Sequence, residues 1–145
     1  MKLIKNFSFL FVFTASSFAW ALCTKHKKAN FRSGAGTKYK KTWSVSKYMP
    51  LEKVSETNLW YKVKDFEGDY HWVAKHLVTN KYKCVVVKTL FANLRTGPGK
   101  QFSKSKIYPH AEKYVTFKYI SQKNNWVQVK DKKKYWIYKP LIWIR

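Results

Sequence analysis

The sequence predicts an all-β protein: two like units in tandem, each a small barrel or sandwich of about five short strands, with little or no helix in the mature chain. Three observations carry this. The stretch Ala92–Phe102 (ANLRTGPGKQF) repeats Ala29–Tyr39 (ANFRSGAGTKY), and the segments Leu59–Val78 and Asn125–Ile142 that follow share a Trp, a Val-Lys-Asp run, a polar turn and a second Trp. Self-similarity at a fixed offset marks a tandem of structural units. The apolar residues come in short β-branched and aromatic runs divided by polar turns, as strands do. Four of the five glycines fall inside the two motif copies, so glycine serves particular backbone positions rather than general flexibility.

Taken in order, the chain opens with the marks of a secretory signal peptide. Two lysines stand within Met1–Asn6, residues 7–13 are mostly apolar, and Ala19-Trp20-Ala21 fits a small-x-small cleavage site. Cleavage is expected after Ala21, giving residues 1–21 as signal and a periplasmic or secreted product. A lipidated Cys23 is the competing reading, and Leu22 directly before it argues against that. No other apolar run approaches the roughly 20 residues a membrane helix needs, so no transmembrane anchor is expected after cleavage.

The first unit is expected over residues 22–80 and the second over 81–145, with Lys81-Tyr82-Lys83 as a linker short enough for the units to touch. In the first, Pro50–Val54, Trp60–Val63 and Tyr70–Ala74 read as strands. In the second, Val85–Val87, Tyr114–Ile120, Trp126–Val129 and Tyr135–Tyr138 do. Asp65–Asp69 and Asp131–Lys134 read as hairpin turns, and Lys75–Leu77 and Lys139–Leu141 as single 3₁₀ turns before a last short strand. Units of about 60 residues sit near the lower limit for a self-supporting core. The 7 Trp, 10 Tyr and 10 Phe offset this, since each aromatic buries a large area. Cys23 and Cys84 each lie just upstream of a glycine motif. In an oxidising space they are expected to pair, closing a loop of roughly 60 residues for about 4 kcal/mol.

Charge is uneven. Residues 22–80 hold 12 basic and 5 acidic side chains, net +7, whereas residues 81–145 hold 16 and 2, net +14. Nearly all the positive charge is Lys, which makes diffuse point-charge contacts rather than bidentate forks. Two readings fit: attraction to polyanions such as anionic glycans, lipopolysaccharide or nucleic acid, or a solvated lysine-rich surface.

Within the glycine motif, Asn30 and Asn93 can fold onto the backbone two residues on and start a turn. Gly34, Gly36, Gly97 and Gly99 are expected to supply positive φ. Arg32 and Arg95 share a strand face with the asparagines and are expected to stack on an aromatic or tie down loop carbonyls. A phosphate loop is excluded: no Gly-Lys-Ser/Thr follows, and no strand–loop–helix context surrounds it.

N-x-R-x-G-x-G near the start of each unit, the mid-unit Trp, the Val-Lys-Asp hairpin and the closing Trp-aliphatic segment resemble the bacterial SH3 (SH3b) domain. The resemblance covers both units. The stretch YKKTWSVSKYMPLEKV, residues 39–54, is similar to exported proteins with two such units. The resemblance implies tandem small SH3-like barrels, five to seven short strands each, of the kind that accompany cell-wall hydrolases and bind peptidoglycan or its peptide stems. The family's usual Gly-Trp in the last hairpin is His71-Trp72 and Tyr135-Trp136 here, which puts the glycine bend in doubt.

Catalysis finds little support. Cys23 and Cys84 lack the setting of a nucleophile beside a histidine, and His26, His71, His76 and His110 lack metal-ligand spacing. Glu67 and Asp69 flank a hairpin glycine and read as turn residues rather than a glycosidase pair. No cofactor and no metal is expected. Binding remains, with Tyr39, Trp43, Tyr48, Phe102 and Tyr108 as candidate ligand-binding aromatics on the long loops. Trp60, Trp72, Trp126 and Trp136 are expected to fill the two cores. The expected partner is peptidoglycan or a cell-wall peptide. An envelope protein held by one barrel, or a polyanion held by lysine charge, are the alternatives.

Overall fold

The structure, a computed structural model, describes residues 21–145; the expected signal peptide, residues 1–21, lies outside the described residues apart from Ala21. The first barrel is built from β1 (Ala21–Thr24), β2 (Ala29–Arg32), β3 (Lys41–Val45), β4 (Pro50–Glu56), β5 (Trp60–Lys64), β6 (Tyr70–Ala74) and β7 (Val78–Thr79). These form one antiparallel sheet in the order β3-β2-β6-β5-β4-β1-β7. The second comprises β8 (Cys84–Val87), β9 (Phe91–Asn93), β10 (His110–Glu112), β11 (Thr116–Lys123), β12 (Trp126–Lys130), β13 (Lys134–Tyr138) and β14 (Ile142–Ile144). Its sheets run β10-β9 and β13-β12-β11-β8-β14. The bridge between Arg95 and Trp136 joins them, just as the pair Arg32–Trp72 joins β2 to β6. The two halves therefore share one topology, strand for strand. Single 3₁₀ turns at Lys75–Leu77 and Lys139–Leu141 precede β7 and β14.

Alternation in the strands decides what each barrel encloses. Phe31, Met49, Leu51, Val63 and Val73 point into the first core. Leu94, Phe117, Val127, Val129 and Ile137 point into the second. The hairpins carrying the unusual His71 and Tyr135 pair without a register shift. Both side chains turn inward and are buried, so no glycine bend is needed.

The strand CVVV of β8 is buried at all four residues. Val85 and Val87 face the second core, while Val86, with Trp143 beside it, packs into the core of the first barrel. Cys23 and Cys84 are disulfide-bonded, with Cα atoms 6.0 Å apart. Thr116 Oγ1 donates to the Lys47 carbonyl at 2.6 Å, and Arg145 Nη2 reaches Glu52 at 3.4 Å. The barrels are thus joined by apolar packing, a covalent bond and polar ties at once.

Two expectations need correction here. The strand expected from Tyr114 begins at Thr116, because Tyr114 has φ 74° and belongs to the preceding turn. Trp60, Trp72, Trp126 and Trp136 are only half-buried and do not fill the cores. Each occupies the strand position opposite to an inward-facing valine, isoleucine or other core residue, so the pleat sends its indole to the outer face.

Candidate functional site

The glycine motifs build a rigid lip on each barrel. Arg32 Nη1 donates to the carbonyls of Thr37 and Tyr39, both at 2.9 Å. Arg95 Nη1 donates to those of Lys100 at 3.3 Å and Phe102 at 2.9 Å. None of the four motif glycines adopts positive φ, contrary to the expectation; among the described glycines only Gly68 does. What the motif requires is close approach. A Cβ on Gly34 would lie 2.6 Å from the Tyr39 ring, and one on Gly97 would lie 2.3 Å from Phe102. Nor do the asparagines start turns. Asn30 and Asn93 lie within β2 and β9, and Asn30 Oδ1 accepts from Ser44 Oγ across the strand pair.

Beside each lip runs a groove. In the first barrel it is about 470 Å³, walled by β3 from Thr42 to Val45 and by the β5–β6 hairpin with Asp65, Glu67 and Asp69. His71 lies at its floor in a cluster with the rings of Phe31 and Trp43, which also meet each other edge to face. Nε2 of His71 donates to Asp65 Oδ2 at 2.9 Å, so Nδ1 is left to accept from Thr42 Oγ1, also at 2.9 Å. The other oxygen of Asp65 accepts the backbone N–H groups of Glu67 and Asp69. This chain fixes the hairpin tip and the wall together. The second barrel carries a groove of about 400 Å³ in the equivalent place, between Tyr108–Glu112 and the hairpin residues Asp131 and Lys132, floored by Tyr135. Burial raises the pKa of Tyr135.

The grooves are not separate. A third hollow lies between the barrels, bounded by Lys27, Lys47, Tyr48 and Lys113. It shares Ser46 and Tyr114 with the first groove, and Val115 and Asp131 with the second. The result is one trough crossing both barrels. Tyr114 is its pivot: its ring lies 5.5 Å from Trp43 and 5.6 Å from Phe66, under the Lys113 ammonium. Hydrogen bonding to Glu67, with some desolvation, raises the pKa of its phenol. Tyr48, at the equivalent turn, has φ 70° and packs against Tyr82 of the linker.

Two bacterial SH3 domain models match the chain in tandem, one over residues 27–79 and the other over residues 88–143. The chain belongs to the bacterial SH3 domain family. No curated protein matches it significantly. Bacterial SH3 domains are commonly cell-wall or peptidoglycan binding modules. The disulfide fits an extracytoplasmic protein, and no helix among the described residues is long and apolar enough to cross a membrane.

The structure divides the five candidate aromatics of these SH3 domains. Trp43, Tyr48 and Tyr108 line successive parts of the trough. Tyr39 and Phe102 do not; they cap the motif glycines. Tyr114 was missed as a site residue because its aromatic run reads as a strand. The repeat itself holds the signal that would have found it, since Tyr48-Met49 and Tyr114-Val115 occupy matching places before β4 and β11. Among the described residues no group of three or more His, Cys, Asp or Glu side chains can hold a metal.

Proposed function

We propose that this protein is a non-catalytic, exported binding protein that holds a peptide-bearing cell-wall polymer, peptidoglycan, along the trough. The observation that carries the reading is the continuity of two equivalent grooves through Tyr114 and Val115. A single small ligand needs one groove, whereas a repeating polymer fills two in register. The lining suits peptide stems: Glu67 and Asp69 offer carboxylates to amines, Lys47 and Lys113 offer ammonium groups to carboxylates, and Trp43, Tyr114 and Tyr108 offer ring faces between them.

The test is retention of the protein on purified cell-wall sacculi in about 1 M salt, where the Debye length is roughly 3 Å and diffuse attraction is gone. The double variant Tyr108→Ala, Tyr114→Ala is expected to bind at least about tenfold more weakly, some 1.4 kcal/mol, with an unchanged β-sheet spectrum. Retention by the variant equal to the parent's, or complete release of the parent at that salt, would overturn the reading.

A further inference from the structure

The second barrel displays a row of three lysines with no counterpart in the first. Lys118 on β11 stands directly opposite Lys130 on β12, and Lys130 stands directly opposite Lys134 on β13. Directly opposed residues of an antiparallel pair hold their Cβ atoms about 4.5–5.5 Å apart, and like charges so placed destabilise a sheet. The same row in the first barrel reads Glu52, Lys64 and Tyr70, with Glu52 meeting Arg145. In the second barrel no carboxylate stands within 4.0 Å of the three ammonium groups among the described residues. Of the three, Lys118 alone has an aromatic partner among the described residues, the Tyr82 ring at 5.1 Å.

The rest of that face matches the row. Outward from it come Gln128 and Trp136, then Trp126 against Tyr138 with ring centroids 5.4 Å apart. The outer face of the sheet therefore presents a line of positive charge beside half-buried aromatic rings. The row starts beside the third hollow, since Thr116, two residues before Lys118 on the same face of β11, lines it, and it runs from there across the outer face of β12 and β13.

We propose that this outer face of β11–β13 is a second binding surface, and that its ligand is an anionic polysaccharide. Ammonium point charges accept sulfate, phosphate or carboxylate without a fixed geometry, and ring faces of Trp126 and Trp136 suit the apolar faces of sugars. Single-stranded nucleic acid would also stack on such a platform. The Cys23–Cys84 disulfide favours an oxidising compartment, where polysaccharides are the prevailing polyanions.

The test compares binding of the whole disulfide-bonded chain to dextran sulfate, to uncharged dextran and to a single-stranded oligodeoxynucleotide of matched charge. The double variant Lys118→Glu, Lys134→Tyr rewrites the row with the residues that the first barrel accommodates in the same register. It is expected to bind dextran sulfate at least about tenfold more weakly at low salt, with a melting temperature unchanged or raised because opposed like charges are removed. The control Lys25→Gln, Lys28→Gln, Lys40→Gln lowers the net charge by the same three units and is expected to lose at most about threefold. Lys130→Gln alone serves as a milder variant, expected to weaken binding about threefold. Equal losses in the row variant and the control would overturn the surface in favour of bulk charge. Tighter, row-dependent binding of the oligonucleotide would overturn the assignment to a polysaccharide.

Discussion

Gly97 and Phe102 show how a single position constrains the lip of a groove. The ring lies where a Cβ would stand, and Arg95 fastens the carbonyl of the same Phe102. Gly97→Ala forces the ring away or the loop apart, and overpacking of this kind costs about 1–3 kcal/mol. Urea unfolding of the variant is expected to show that loss in the midpoint with little change in slope. Asp65 is the matching residue on the opposite wall of the first groove. Asp65→Ala removes the acceptor of His71 Nε2 and of two backbone N–H groups, leaving a buried donor unpaired. The expected loss is on the order of 3 kcal/mol, with Trp43 fluorescence altered because its neighbour His71 is no longer fixed.

At the scale of elements, the end of β4 is tied to the 3₁₀ turn that follows β6 by one carboxylate. Glu56 pairs with Lys53 on its own strand at 2.8 Å and with Lys75, the first residue of the 3₁₀ turn. Hydrogen bonds from Lys53 and then Lys75 lower its pKa from 4.5 to about 2. A depressed folded-state value means that the contribution is complete above about pH 4.5 and disappears as pH falls through about 2. NMR titration of the Glu56 carboxyl is expected to give a midpoint near 2 at low salt, moving upward in Lys75→Met and in concentrated salt, because the pair is exposed and screened.

For the whole molecule, the two barrels are expected to unfold together. Val86 and Trp143 of the second barrel belong to the core of the first, so the first core is incomplete without the second barrel. The disulfide joins positions 61 residues apart and restricts the unfolded chain by about 4 kcal/mol in the loop-entropy model. Calorimetry is expected to show one transition in the oxidised protein. In Cys23→Ala, Cys84→Ala it should fall by many degrees, since about 1 kcal/mol moves a domain of this size by roughly 2–8 °C. Two separate transitions in the oxidised protein would contradict the shared core.

Most strands, the hairpin turns and both 3₁₀ turns were legible in the sequence because period-two burial and turn chemistry are local properties, whereas β3, which carries Trp43, was read as part of a long loop. The family resemblance was legible for the same reason: its motif is a continuous stretch, written twice. That β8 would be covered on both faces, and by what, was not legible. The outward Trp60, Trp72, Trp126 and Trp136 were misplaced because the identity of a side chain does not say which face of the pleat the core lies on. The reason for the motif glycines, a ring five residues away, was likewise hidden. The sequence alone determined an all-β tandem of two like units and where their turns fall. Only the tertiary structure decided that Tyr114 would join two grooves into one trough and that three lysines would stand in a row, because both depend on register and on contacts between residues distant in the chain.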